Sequence, residues 1–329
     1  MQKRTGTFLF IFTELLLLAS VAAGAQKAPA RPKCYLWEAQ SEHNTVYILG
    51  SVHVAKKEMY PLDMAITKAF QASDILVVEV NLKKIGLLRI AALTQEKWMY
   101  KNNDTLRNHV SEKTFKLFRE HCRKKKIPEQ ILVRFLPAVT AQQLGLLELA
   151  KHGFSANYGI DMNFMNKASK QRKKIIELET IESQMDLFAD IPDNIQDLML
   201  YSSLKDFDQA IKDIKLIFKA WEKGDTEAIE KVTSRTVEEY PQLKPFWAKL
   251  TTERNKTMAA KIAEFLKGDR TYFVIVGAAH LAGKEGIIEL LEAKKGLKIR
   301  QVDALGKPVP KKDLRKTEPK TMPVPAAGI

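Results

Sequence analysis

The sequence predicts an α/β protein with a mostly parallel central sheet, built from both ends of the chain and carrying helical insertions between its strands. Three observations carry that expectation. One phrase is written twice: Thr45-Val46-Tyr47-Ile48-Leu49-Gly50-Ser51-Val52-His53 near one end returns as Tyr272-Phe273-Val274-Ile275-Val276-Gly277-Ala278-Ala279-His280 near the other. The apolar runs at 46–49, 75–78 and 272–276 show no polar alternation, the pattern of strands buried on both faces. Finally, strand-like, helix-like and strand-like segments succeed one another within about 35 residues, the spacing of a βαβ unit with a parallel strand pair.

The elements follow in order. Residues 1–25 read as a secretory leader: Lys3 and Arg4 precede an apolar stretch at 8–19, and Ala23-Gly24-Ala25 offers an A-x-A cleavage site. That stretch is short for a membrane span and contains Glu14, so export with cleavage is expected, to periplasm or medium. The main domain is expected over 26–305. Its first strand is 46–49. Pro61 then opens a helix running to Phe70, with Met64, Ala65, Ala69 and Phe70 on one stripe. The second strand, 75–80, is expected beside the first.

A helical insertion at about 83–170 contains helices at 87–98, 112–125 and 129–151, a break at His152-Gly153, and a short helix after Tyr158-Gly159-Ile160-Asp161. Residues 173–178 form a third strand. A second helical insertion, about 181–267, is punctuated by Pro192, Gly224 and Pro241. The strand 272–276, a helix at about 284–293 and a strand at 297–302 close the domain. Residues 306–329, with five of the 13 prolines, many lysines and few apolar residues, are expected to be a disordered basic tail.

The formal charge is +14. A basic balance suits nucleic acid, an anionic surface or a solvated face. No zinc finger, RNP motif or glycine-rich phosphate loop accompanies it, so nucleic acid is not expected as a partner, whereas the basic tail suits an anionic envelope surface. Cys34 and Cys122 are the only cysteines, and a disulfide between them is left open.

In each copy of the repeated phrase a glycine follows the strand, so the chain is expected to turn there and deliver its histidine beyond the carboxyl edge, where open α/β sheets gather their sites. His53 and His280 are thus expected to share one cleft. Glu79, flanked by Val77, Val78 and Val80, is a carboxylate in an apolar strand and needs a partner, a proton or a metal. Two histidines and a carboxylate can hold a divalent cation with open positions that activate water. The same trio can run acid–base hydrolysis without metal, with His53 or His280 as base, or bind haem or another ligand without catalysis. Asp161, Glu179, Arg254 and Asn255 are supporting candidates, Arg254 being suited to a carboxylate. HExxH and GxSxG are absent, leaving zincin and serine-hydrolase chemistry without support.

Gly50-Ser51-Val52-His53, Glu79, Gly159-Ile160-Asp161, Leu178-Glu179-Thr180 with Gln184, Arg254-Asn255 and Gly277-Ala278-Ala279-His280-Leu281 together resemble the TraB/GumN family, itself similar to the Tiki ectodomains. The likeness spans about 35–303. It implies a fold related to erythromycin esterase and the ChaN-like proteins. It also implies a metal-dependent peptidase activity of Tiki type centred on His53, His280 and Glu79, without implying the substrate. A divalent cation of Mn, Co or Zn type and a peptide or small ester-like substrate are the expected cofactor and partner. Oligomeric state is not implied.

Overall fold

The computed structural model describes residues 33–309, so the expected leader and the tail beyond 309 lie outside the described residues. Six strands form one sheet: β1 (Lys33–Gln40), β2 (Thr45–Ser51), β3 (Ile75–Val78), β4 (Lys174–Glu177), β5 (Tyr272–Gly277) and β6 (Lys298–Asp303), in the order β4-β3-β5-β2-β1-β6. β4, β3, β5 and β2 run parallel, and β1 lies antiparallel between β2 and β6. The sheet is mostly parallel and drawn from both ends of the chain.

The two repeated phrases are β2 and β5, and they are direct neighbours, Val46 facing Tyr272 through Ser51 facing Gly277. This corrects the expected pairing of the first two apolar runs. β2 and β3 both run parallel, but β5 lies between them, because its side chains are apolar on both faces and fill the centre of the sheet. Strand β1 was not anticipated. Trp37-Glu38 interrupts its apolar pattern, and its partner β6 comes from the far end of the chain.

Helices α1 (Met64–Ala72), α2 (Leu87–Lys97), α3 (Glu112–Lys125), α4 (Pro137–Lys151) and α5 (Ile160–Lys170) precede β4. Between β4 and β5 come α6 (Ile181–Ala189), α7 (Asp193–Lys205), α8 (Phe207–Glu222), α9 (Thr226–Glu239) and α10 (Arg254–Phe265), and α11 (Ile287–Glu292) leads to β6. The expected helix at 129–151 is divided: a short turn at Glu129–Leu132 ends before Pro137 starts α4. Proline lacks the N–H an interior position needs but suits the first turn. Among the described residues no helix is long and apolar enough to cross a membrane. Residues 306–309, placed in the tail by composition, fold back on β6, where Val309 N–H donates to Gln301 O at 2.8 Å.

The core lies on both faces of the sheet. On one face Phe70 of α1, Phe164 of α5 and Phe273 of β5 form an aromatic cluster with centroids 4.9–5.6 Å apart. Such contacts add to the burial of the rings themselves. Trp221, at the end of α8, donates its indole N–H to Gly50 O at 2.6 Å, tying the second insertion to β2. Cys34 and Cys122 are both buried and free, so no disulfide joins them.

Gly50 is required for space. A Cβ built there would stand 2.2 Å from Tyr35 Cδ1 and 3.1 Å from Ala278 Cα. Gly50→Ala is therefore expected to destabilise the fold by about 1–3 kcal/mol through overpacking. Urea titration should show an earlier midpoint at unchanged slope.

Candidate functional site

The site is assembled where four parallel strands end. β2 delivers Ser51 and, two residues on, His53; β3 leads to Glu79; β4 leads to Glu179; β5 ends at Gly277, and a tight turn, Ala278–Leu281, carries His280. Hydrogen bonds from Leu178 N–H to Val78 O and from Glu179 N–H to Glu79 O, both 2.9 Å, continue the β3–β4 register past the strands. The two glutamates are thereby set side by side. A capping box of Thr180 and Ser183 starts α6 directly after Glu179.

The expected convergence is present. A Cβ added to Gly277 would lie 3.4 Å from His280 Cδ2, 3.5 Å from Glu79 Oε1 and 3.7 Å from His53 Nε2, so the three side chains surround one point. The glycines do not act as sequence reading supposed. Gly277 has φ −53°, and Gly50 is not among the residues of positive φ. Both supply room instead of an unusual turn. Gly159 does likewise, since a Cβ there would meet His53 O at 2.2 Å.

His53 Nδ1 lies 3.0 Å from Asp161 Oδ2, and Asp161 Oδ1 accepts from Ser51 Oγ at 2.9 Å. Asp161 sits in the first turn of α5, where a carboxylate meets the favourable end of the helix dipole. Ile160 N–H donates to Val52 O at 3.1 Å and fixes that helix end against the His53 loop. Burial pulls the His53 imidazole down, but the charge and hydrogen bond of Asp161, with the charge of Glu79, outweigh it and hold the group up at about 9. Burial also pushes Asp161 up, yet the His53 charge and the bonds from His53 and Ser51 prevail, leaving it below the usual carboxylate range. The dyad is an ion pair at neutral pH.

His280 is in the opposite state. Its Nε2 lies 3.1 Å from Arg254 Nη1, and a guanidinium can only donate, so Nε2 is the acceptor. Nδ1 therefore carries the hydrogen and donates to Asn255 Oδ1 at 2.6 Å. Asn255 Nδ2 in turn donates to Glu285 O at 2.8 Å, which fixes the amide's orientation. Burial, reinforced by the positive charges of Arg254 and His53, holds His280 well below its usual value.

Arg254 is the hub. Its Nε and Nη2 donate to Glu179 Oε1 and Oε2 at 2.8 and 2.5 Å, and Nη2 also donates to Glu79 Oε2 at 3.1 Å. A π-helical turn, Lys249–Glu253, precedes it, and its Nη1 donates to Leu250 O at 3.0 Å. Such turns recur at functional sites. Gln184 Nε2 bridges the carboxylates, donating to Glu79 Oε2 at 3.1 Å and to Glu179 Oε2 at 3.0 Å. Gly277 N–H donates to Glu79 Oε1 at 2.6 Å. Burial raises Glu79 above the ordinary range, against the His53 charge, the Gly277 amide and Gln184. Burial with the charge of Glu79 raises Glu179 to about 7, and burial lowers Arg254 to about 9, which leaves the guanidinium charged at neutral pH.

This arrangement does not fit a cation held by His53, Glu79 and His280. The lone pair that His280 would offer is taken by Arg254, and Glu79 Oε2 accepts from both Arg254 and Gln184. Among the described residues no group of three His, Cys, Asp or Glu side chains has metal-holding geometry. Arg254 meets carboxylates as its chemistry suggests, but they are the protein's own. All seven sequence candidates gather in this region: Asp161 orients His53, Asn255 orients His280, and Glu179 pairs with Arg254.

His53 is the histidine that reaches open space, with 18% of its side chain exposed against 1% for His280. A pocket of about 70 Å³ is lined by Ser51, His53, Gly277 and His280 together with largely apolar side chains that include Phe218 and the hydroxyl of Thr233. Sequence reading missed two residues that brace the strand ends carrying the histidines: Tyr35, whose hydroxyl donates to Ala278 O at 3.1 Å, and Trp221, bonded to Gly50. An aromatic inside an apolar stretch carries no signal of where its polar atom points.

The family model described as the TraB/PrgY/gumN family matches residues 35–301. The uncharacterized protein YbaP of Escherichia coli (strain K12) and that of Shigella flexneri are each 24% identical over 252 residues, covering 74% of this chain and 87% of the relative. No solved structure matches.

Replacing Arg254 by Met would leave two buried carboxylates facing one another without the guanidinium that bonds both. The expected loss of stability is about 3–5 kcal/mol, measured by urea denaturation near neutral pH.

Proposed function

The chain belongs to the TraB/PrgY/gumN family, and from that premise together with the site's geometry we propose that it is a hydrolase whose general base is His53. The observation that carries the reading is the ring's placement. Nδ1 is locked on Asp161, while Nε2 lies 3.7 Å from where a Cβ on Gly277 would stand, and both residues line the pocket. A carboxylate-oriented histidine with one free nitrogen is the arrangement used to activate water or a hydroxyl.

The chemistry follows from those positions. Neutral His53 takes a proton from a water in the pocket as the water oxygen bonds to a carbonyl carbon. The carbonyl π pair moves onto its own oxygen, and that pair re-forms the double bond when the leaving atom departs. Asp161 and Glu79 stabilise the imidazolium that forms. The bond from carbonyl carbon to nitrogen or oxygen then breaks, and the leaving atom takes the proton from Nε2, so His53 returns to its starting form. His280 acts as a positioning residue, since both ring nitrogens are engaged and its carbon edge borders the same position at Gly277. The substrate class is a peptide or small ester. A peptidase of the Tiki type, with a divalent cation at His53, Glu79 and His280, is the form the family likeness suggested, and it would require Arg254 to leave His280. Export belongs to the same proposal; N-terminal sequencing of protein from the periplasm is expected to begin at Gln26.

The test is hydrolysis of a peptide library and of nitrophenyl esters by the full-length protein. His53→Gln is expected to lower the rate by about 10²–10⁴-fold. Chelators are expected to leave it unchanged. Turnover that persists in His53→Gln overturns the reading, and turnover abolished by 1,10-phenanthroline and restored by Mn, Co or Zn replaces it with the cation-dependent one.

A pH profile gives a second check. Since His53 is held at about 9 and the active form is neutral, the rate should climb through neutrality and level off beyond about pH 9. Asp161 is what lifts the imidazole above the pull of burial, so Asp161→Asn should move that limb to lower pH while reducing the plateau.

A further inference from the structure

We infer that the pocket beside His53 selects a small branched aliphatic group on the acyl side of the scissile carbonyl, of the size of a valine or leucine side chain. The inference rests on the hydrolytic reading above. One end of the pocket is polar and holds the reacting groups, and the rest is hydrocarbon. Val52 and Val54 come from the His53 loop, Leu149 from the end of α4, Ile214 and Phe218 from α8, and Ile229 from α9.

Thr233, the remaining hydroxyl on that wall, donates to Ile229 O at 3.0 Å and Glu230 O at 3.1 Å, so its hydrogen is committed to its own helix. The far end therefore has no donor aimed at a sugar hydroxyl, and no Lys, Arg, Asp or Glu lines the pocket to meet a charged side chain. A polar acceptor buried there would lose its water contacts without replacement. An apolar one would gain from leaving water.

Size narrows the choice further. The pocket holds about 70 Å³, roughly half of the ~150 Å³ cavity that accepts benzene. A branched aliphatic group fills the space between the walls, whereas a methyl group leaves part of it empty and an aromatic ring projects beyond them. Phe218 cannot readily swing aside to enlarge it, because its ring packs on Phe154 with centroids 4.4 Å apart. Selectivity would thus reside chiefly in α8 and α9 of the second helical insertion, with Leu149 of α4, and not in the sheet that carries His53.

The experiment uses acetyl, isobutyryl, isovaleryl and benzoyl nitrophenyl esters with the full-length protein. In parallel, binding of isobutyramide and benzamide is followed by calorimetry. Isobutyryl and isovaleryl esters should exceed acetyl in kcat/KM by about tenfold or more, and benzoyl should fall below both, in line with the value of one well-placed methylene. Ile217→Phe, at a half-buried wall position, should remove the preference for branched over acetyl esters. Ile214→Ala should shift preference toward benzoyl. If Ile214→Ala does not fold, Ile217→Phe carries the test alone.

Turnover with a flat preference overturns the inference and leaves the hydrolytic reading standing. Absence of turnover with isobutyramide bound in preference to benzamide overturns the hydrolytic reading and supports the aliphatic pocket. Neither turnover nor selective binding overturns both.

Discussion

A buried guanidinium holds the functional end of this protein together. Arg254 reaches from α10 to Glu179 beyond β4, Glu79 beyond β3 and His280 beyond β5, so one side chain spans three of the four parallel strand ends. None of these groups could sit in an apolar interior alone, because an unpaired buried charge costs several kcal/mol. Together they also decide protonation. Arg254 forces His280 into the tautomer with hydrogen on Nδ1, while burial, with the charge of Glu79 beside it, pushes the Glu179 carboxyl toward neutrality. His53 escapes that web because Asp161, on another helix, provides its counter-charge. The consequence is a different bonding state for two histidines that look equivalent in the primary structure. One is anchored at both nitrogens and one is free at Nε2.

Much of this was legible before any coordinates. The strands at 46–49, 75–78 and 272–276 are recognisable because burial on both faces demands uninterrupted apolar residues. The repeated phrase correctly brought His53 and His280 to one place, since parallel neighbours end at the same edge. Strand order was less accessible. Nothing local in residues 272–277 says that they intervene between β2 and β3, and that choice depends on packing across the whole sheet. β1 was hidden for a similar reason, its partners being β2 and the distant β6.

The candidate site shows the same split. Residue type and spacing pointed to Glu79, Asp161, Glu179, Arg254 and Asn255, but not to which partner each would choose. Arg254 suits a carboxylate of substrate as well as of protein, and only geometry reveals Glu79 and Glu179 in that role. Likewise the glycines of the repeated phrase were expected to bend the backbone. They turn out to make room, Gly50 for the Tyr35 ring and Gly277 for three converging side chains.

The position of β5 bears on how the chain can be made. The strand occupies the middle of the sheet, yet its residues begin only at Tyr272, so during synthesis more than three quarters of the polypeptide is present before its parallel neighbours can be joined. Contacts of such large sequence separation form slowly. Until then β2 and β3 offer unpaired edges, which are prone to stray association. In a nascent chain of this design the centre of the sheet cannot close until synthesis is nearly finished.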